Sequence, residues 1–211
     1  MNVIVVGAGG HGQVTADILL KQATAGGSLI AIGFVDDDDR LWKTKILELP
    51  VFGPTDILVS VVHDAVVVAI GANQRRYDVI KRLVSRGERL VAAIHPSAQI
   101  ANDTIIQPGA MVCASAVVNT GSCIGEGAIV NTGATVDHHT IVANCAHIAP
   151  GVHMGGNVQI GERTLIGIGA AILPGIRIDS DAVIGAGATV IQDVPANVTV
   201  VGTPARVITK V

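Results

Sequence analysis

Residues 128–148 read AIVNTGATVDHHTIVANCAHI, and an aliphatic side chain returns at every sixth place: Val130, Val136, Val142, Ile148. Followed outward, the step holds without a slip from Ile100 to Val190, sixteen hits in all. Two places before each aliphatic the residue is usually small, as at Ala110, Ser122, Ala134, Ala146, Ala170 and Ala188. An unbroken six-residue period predicts a parallel β-helix, in which stacked rungs bury their aliphatic residues against one another. Three hexapeptides make one triangular coil of about 18 residues, so the repeat supplies a little over five coils.

The rest of the chain has a different composition. All four aromatic residues, Phe34, Trp42, Phe52 and Tyr77, precede residue 95. A narrow prism of Val, Ile and Ala layers has little room for rings, so a domain boundary is expected near 93–96, dividing the chain into 1–94 and 95–211. A net charge of −3 with scattered basic residues excludes a nucleic-acid-binding face, which needs clustered positive charge. The most apolar run, 57–70, is interrupted by His63 and Asp64, and no membrane span is expected. The chain starts directly on strand-like NVIVVG, and its three cysteines all fall within the repeat. Both features fit a reduced, cytoplasmic protein.

Before the repeat, strands and helices alternate. Asn2–Val6 reads as a buried strand, followed by a glycine turn, 7–12, and a helix from Gln13 to about Ala23. Further strands are expected at 29–35, 65–70 and 90–94, with Asn73 capping a helix that runs to Arg86. This pattern implies a small Rossmann-like parallel sheet, with ligands at the carboxyl ends of its strands. Gly9, Gly10, His11, Asp36, Asp37 and Gly71 all fall there. Gly7-x-Gly9-x-x-Gly12 opens a helix after a strand, as a dinucleotide turn does. Against NAD(P), the α/β part stops before a second half can complete the crevice, and the turn carries a histidine. A nucleotide-containing ligand is the expectation, with a bare tight turn as the alternative.

Four histidines, His138, His139, His147 and His153, lie within sixteen residues of the repeat. None occupies an inward place of the hexapeptide frame, which weighs against a core role and leaves a solvated surface as the alternative to a functional one. Asp137 stands beside His138 and can orient an imidazole or raise its basicity. Gly155, Gly156 and the later glycine pairs 167/169 and 185/187 can let an extended ligand lie against the backbone, although solenoid corners need glycine in any case.

These pieces resemble the PglD/NeuD-like sugar acetyltransferases of the left-handed β-helix, hexapeptide class. The resemblance rests on GAGGHG at 7–12, FVDDD at 34–38, AIGANQ at 69–74, IHPSA at 94–98, NTGATVDHH at 131–139, AHIAPG at 146–151, GGNVQIG at 155–161 and GTPAR at 202–206. It implies an α/β domain holding a nucleotide-linked amino sugar or a sialic acid, then a left-handed parallel β-helix whose trimer binds acetyl-CoA between subunits. By the same resemblance His138 is the general base and His147 contacts acetyl-CoA. Gly156, Ile168 and Ala186 lie along that co-substrate, and Gly9, Gly10, His11, Asp36, Asp37 and Gly71 contact the sugar nucleotide. One place departs from the pattern: where relatives usually carry an acid after the basic histidine, this chain has His139, which leaves Asp137 as the candidate partner of His138.

The expected activity is N-acetylation of a nucleotide-activated amino sugar, a 4-amino-4,6-dideoxyhexose, in surface-glycan biosynthesis. The alternatives are O-acetylation of sialic acid, a β-helix metalloenzyme using His138, His147 and His153, and a non-catalytic nucleotide-sugar-binding trimer. No resident metal is expected. His138 and His147 are half a coil apart and fall on different sides of the prism, so active sites between the subunits of a homotrimer are expected.

Overall fold

The computed structural model describes residues 1–210 and divides into two compact units, Met1–Pro96 and Ser97–Val211. The divide falls slightly later than the aromatic boundary in the sequence.

In the first unit β1 (Asn2–Val6) is flanked by β2 (Ile30–Val35) and β3 (Ala65–Val68), in the order β2-β1-β3, all parallel. Val3, Ile4, Val5, Val66 and Val67 are fully buried, as the continuous β-branched runs of a sheet covered on both faces demand. Helix α1 (Gly10–Thr24) starts three residues earlier than expected, inside the glycine turn itself. Gly12 permits this, because a Cβ there would overlap the carbonyl of Gly7. Helix α2 spans Asn73–Ser85, and its N-cap is Ala72 rather than Asn73. The Asn73 side chain is engaged elsewhere, its Oδ1 accepting from Arg76 Nη2 at 2.8 Å. The expected fourth strand is reduced to a bridge between Val66 and Leu90 and a two-residue strand at Ala93–Ile94.

The second unit is a left-handed parallel β-helix of sixteen two-residue strands, from Gln99–Ile100 to Thr189–Val190. Strands eighteen residues apart pair in register, as Thr135–Val136 does with His153–Met154. This builds a first face through Thr135–Val136, a second through Ile141–Val142 and a third through His147–Ile148. The closing aliphatics from Val112 to Val190 are at most 4% exposed, so the frame read from the sequence is the core. Each buried Val or Ile contributes about 1.5–3 kcal/mol. After Val194 the coil ends in strands Val198–Val201 and Arg206–Lys210, paired antiparallel.

The corners have their own period. From Gly109 to Gly187, every residue three places after a closing aliphatic has φ between 53° and 75°. Glycine fills most of these left-handed places, yet His139 takes one at φ 56°. A side chain there carries a backbone penalty of roughly 1–2 kcal/mol.

Candidate active site

In the α/β unit a cavity of about 320 Å³ opens at the carboxyl ends of the strands. Gly9, Gly10, His11, Asp36, Asp37 and Gly71 all line it, as the strand-end argument predicts. Gly9, Gly10 and Gly71 have open space where a Cβ would stand, so their lack of side chains keeps the cavity clear.

The two aspartates do different work. Asp36 holds the walls together: Oδ2 accepts from the Ala8 N–H at 2.7 Å and Oδ1 from the Asp38 N–H at 2.9 Å. Asp37 Oδ1 accepts from the Thr55 N–H at 2.9 Å. That bond, with the Thr55 hydroxyl and the charges of Arg82 and Arg75, outweighs burial and keeps the Asp37 carboxyl below its usual range. Thr55, Arg75 and Val79 also line the cavity and were not picked out from the sequence. Arg75 had a signal, since it sits in the first turn of a helix that follows a strand-end loop.

Beneath the cavity Arg76 is fully buried. Its Nη1 donates to the carbonyls of Ile70 at 2.7 Å and Gly71 at 3.1 Å, fixing the loop that carries Gly71. Burial, and then the Arg76 charge, depress the His11 pKa from 6.5 to about 4. His11 is therefore a neutral hydrogen-bonding group near pH 7. Because the unfolded chain takes up this proton near pH 6.5 and the folded chain only near 4, the His11 contribution is complete above pH 6.5 and is lost as pH falls toward 4. Denaturant unfolding between pH 7 and pH 4.5 is expected to show that loss, with a shallower decline in His11→Gln; equal slopes would contradict it.

In the β-helix, His138 lies at the corner that follows the first face. That corner is pinned from below and above. Ser122 Oγ donates to the Asp137 carbonyl at 3.0 Å, and Thr140 Oγ1 to the Gly155 carbonyl at 3.4 Å. Both hydroxyls occupy the small inward place of the hexapeptide and are buried. Asp137 ties the peptide rather than the ring: its Oδ1 accepts from the His138 N–H and from Asn119 Nδ2, each at 2.8 Å. The ring nitrogen Nδ1 of His138 instead stands 3.1 Å from Nδ1 of His139, with the two rings edge to face. Gly156, one coil above, lies against the His138 ring, since a Cβ there would overlap Cε1, Nε2 and Nδ1 of the ring.

His147 belongs to the third face. Asn131 Oδ1 accepts from the Thr132 N–H at 2.8 Å, which turns Nδ2 of the same amide toward His147 Nε2 at 3.1 Å. The imidazole accepts there, so its proton sits on Nδ1 when neutral. Ile168 and Ala186 are exposed and stack eighteen residues apart at the corner after the third face. His138 and Gly156 are thus brought together, and His147, Ile168 and Ala186 form a second set elsewhere on the coil. His153 is on the first face, its Nδ1 2.9 Å from Thr135 Oγ1. Among the described residues no three His, Cys, Asp or Glu side chains cluster as metal ligands. No helix among them is long and apolar enough to cross a membrane.

Residues 2–83 match the model of the PglD N-terminal domain, and 157–192 that of the bacterial transferase hexapeptide. The chain is similar to the acetyltransferase domain of PglB from Neisseria gonorrhoeae, with 36% identity and a TM-score of 0.89, covering 98% of this chain and 99% of that one. It is also similar to PerB from Caulobacter crescentus, solved with CoA and GDP-perosamine, with 33% identity and a TM-score of 0.90 over 99% and 98% of the two chains. Curated relatives are matched over part of their length only. A serine acetyltransferase of Synechococcus elongatus, 36% identical, is spanned over 50% of its length and matches 64% of this chain. Fold, repeat and likeness together define a hexapeptide-repeat acetyltransferase. Within that class the chain belongs to the PglD/NeuD-like sugar acetyltransferase family.

Proposed function

We propose that this chain transfers the acetyl group of acetyl-CoA to the amine of a nucleotide-linked 4-amino-4,6-dideoxyhexose, in surface-glycan biosynthesis. The observation that carries the reading is His138, an exposed imidazole seated on Gly156 at a corner whose backbone is fixed by Asp137, Ser122 and Thr140. PerB, similar over nearly the whole chain, was solved with GDP-perosamine, which supports a nucleotide-linked amino sugar as the acceptor.

The division of labour follows from the two units. Asp37, Arg75, neutral His11 and the open glycines of the α/β cavity suit the polar groups of a sugar nucleotide. On the β-helix, His147 offers an N–H, and Ile168 and Ala186 offer a low, apolar ridge, a fit for the amide-rich arm of acetyl-CoA. That co-substrate supplies the acetyl group as a thioester. His138 Nε2 accepts the amine proton while the N–C bond forms and the C–S bond breaks, and then returns the proton to the departing thiolate. Base catalysis of this kind contributes roughly 10²–10⁴ in rate. We also propose a homotrimer with acetyl-CoA between neighbouring subunits.

Thiol release from acetyl-CoA, measured across UDP-, GDP- and dTDP-linked amino sugars and free sialic acid, tests the reading. Turnover is expected with a nucleotide-linked 4-amino sugar. Turnover with sialic acid alone, or with none of these, overturns it.

A further inference from the structure

His139 stands at a left-handed corner where glycine costs nothing, and its ring is not idle. It fills the space above Gly121, whose Cβ, if present, would lie 2.7 Å from Cδ2 and 3.1 Å from Nε2 of the imidazole. From there its Nδ1 meets Nδ1 of His138 at 3.1 Å. Two imidazole nitrogens at that distance hold one proton between them: one donates and the other accepts.

The direction of that bond decides whether His138 can act as a base. If His139 donates, His138 carries its proton on Nε2 and has no lone pair to offer there. If His138 donates, Nε2 is free. The corner below selects the second arrangement. Asp103 Oδ2 accepts from the Gly121 N–H at 3.1 Å and from Thr120 Oγ1 at 2.7 Å, so an anionic carboxylate is held at Gly121, the residue whose missing Cβ faces Cδ2 and Nε2 of His139. A negative charge there favours the His139 tautomer with its proton on Nε2, which leaves Nδ1 as an acceptor. The Asp103 carboxyl is held below its usual range first by the Thr120 hydroxyl and then by backbone N–H groups.

Resting on His138 as the base, we infer that His139 is a positioning residue: it accepts the Nδ1 proton of His138 and thereby presents the Nε2 lone pair of that ring to the substrate. The charged and titratable groups around the pair are Asp103 below and Asp137 beside it, both anionic, with Asn119 holding the latter.

Three substitutions compatible with a left-handed corner separate the possibilities. His139→Gly removes the acceptor without backbone strain. In His139→Asn, Oδ1 takes the place of Nδ1 and keeps an acceptor. His139→Asp puts a carboxylate oxygen there. In the full-length protein with 15N-labelled histidine, proton–nitrogen spectra at pH 8 are expected to show His138 protonated on Nδ1 in the wild type and in His139→Asn, and on Nε2 in His139→Gly. For acetyl transfer, kcat is expected to fall about tenfold in His139→Gly at unchanged KM, with most of the loss recovered in His139→Asn. In His139→Asp the acid limb of the kcat profile is expected to move to higher pH, since a carboxylate stabilises the imidazolium. Wild-type tautomer and kcat in His139→Gly overturn the inference. The tautomer readout needs no turnover, so an Nδ1-protonated His138 in a protein that transfers no acetyl group sinks the acetyltransferase reading and leaves the pair standing.

Discussion

His138→Ala is expected to lower kcat by roughly 100-fold or more while leaving the fold and acetyl-CoA binding intact. The side chain is exposed at a corner and supplies nothing to the column of closing aliphatics, so its removal leaves the core unchanged. What disappears is the group that accepts the amine proton. Gly156→Ala provides a companion that keeps the histidine. Gly156 lies outside the left-handed φ region, so alanine is acceptable to the backbone there, but its Cβ would occupy the space of three atoms of the His138 ring. The ring must swing away, and kcat is expected to fall with His138 still present. Steady-state thiol release at saturating acetyl-CoA, with unfolding midpoints measured in parallel, checks both variants. A His138→Ala protein of near wild-type kcat would falsify the assignment of the base.

How much of this was written in the sequence differs between the two units. In the β-helix the sixfold step is a direct consequence of one side chain per rung pointing inward, so Val112 to Val190 could be assigned to the core residue by residue. The same frame put His138 and His147 outside. It did not reveal that Gly156 serves His138, because a corner glycine and a glycine under a ring look alike in one dimension. Nor did it show that Asp137 bonds to a peptide rather than an imidazole: neighbours in sequence at a tight corner have several ways to turn, and only the eighteen-residue stacking with Asn119 settles which one wins. In the α/β unit the strand-end argument found six cavity residues. It missed Thr55 and Arg75, which enter through a 3₁₀ segment and a helix whose placement depends on tertiary packing. The fourth strand failed for a related reason: 90–94 is apolar enough for a strand, but the backbone pairing to β3 stops after the single bridge at Leu90.

Mixed oligomers of two inactive variants are expected to recover activity. His138 lies at the corner after the first face and His147 on the third face, so one chain presents them to different sides of its prism. If acetyl-CoA is held by His147 of one subunit while His138 of the next acts on the acceptor, each site draws its two histidines from two chains. A trimer made only of His138→Ala chains, or only of His147→Ala chains, then has no complete site. Co-expressed at equal levels, a site is complete when the subunit on one side carries only His147→Ala and its neighbour only His138→Ala. Each condition is met half the time, so about a quarter of the sites are intact in randomly mixed trimers, rising to about one third once purification through both tags removes the trimers of a single variant. If instead both histidines of a site came from one chain, every chain would lack one of them, and mixing would restore nothing. Differently tagged chains, purified through both tags and assayed at subsaturating acetyl-CoA, distinguish the two outcomes. Mass measurement on the same sample shows whether three copies of the 21.5 kDa chain assemble. Activity no higher than that of the separate variants, in a sample shown to be mixed, rules out active sites shared between subunits.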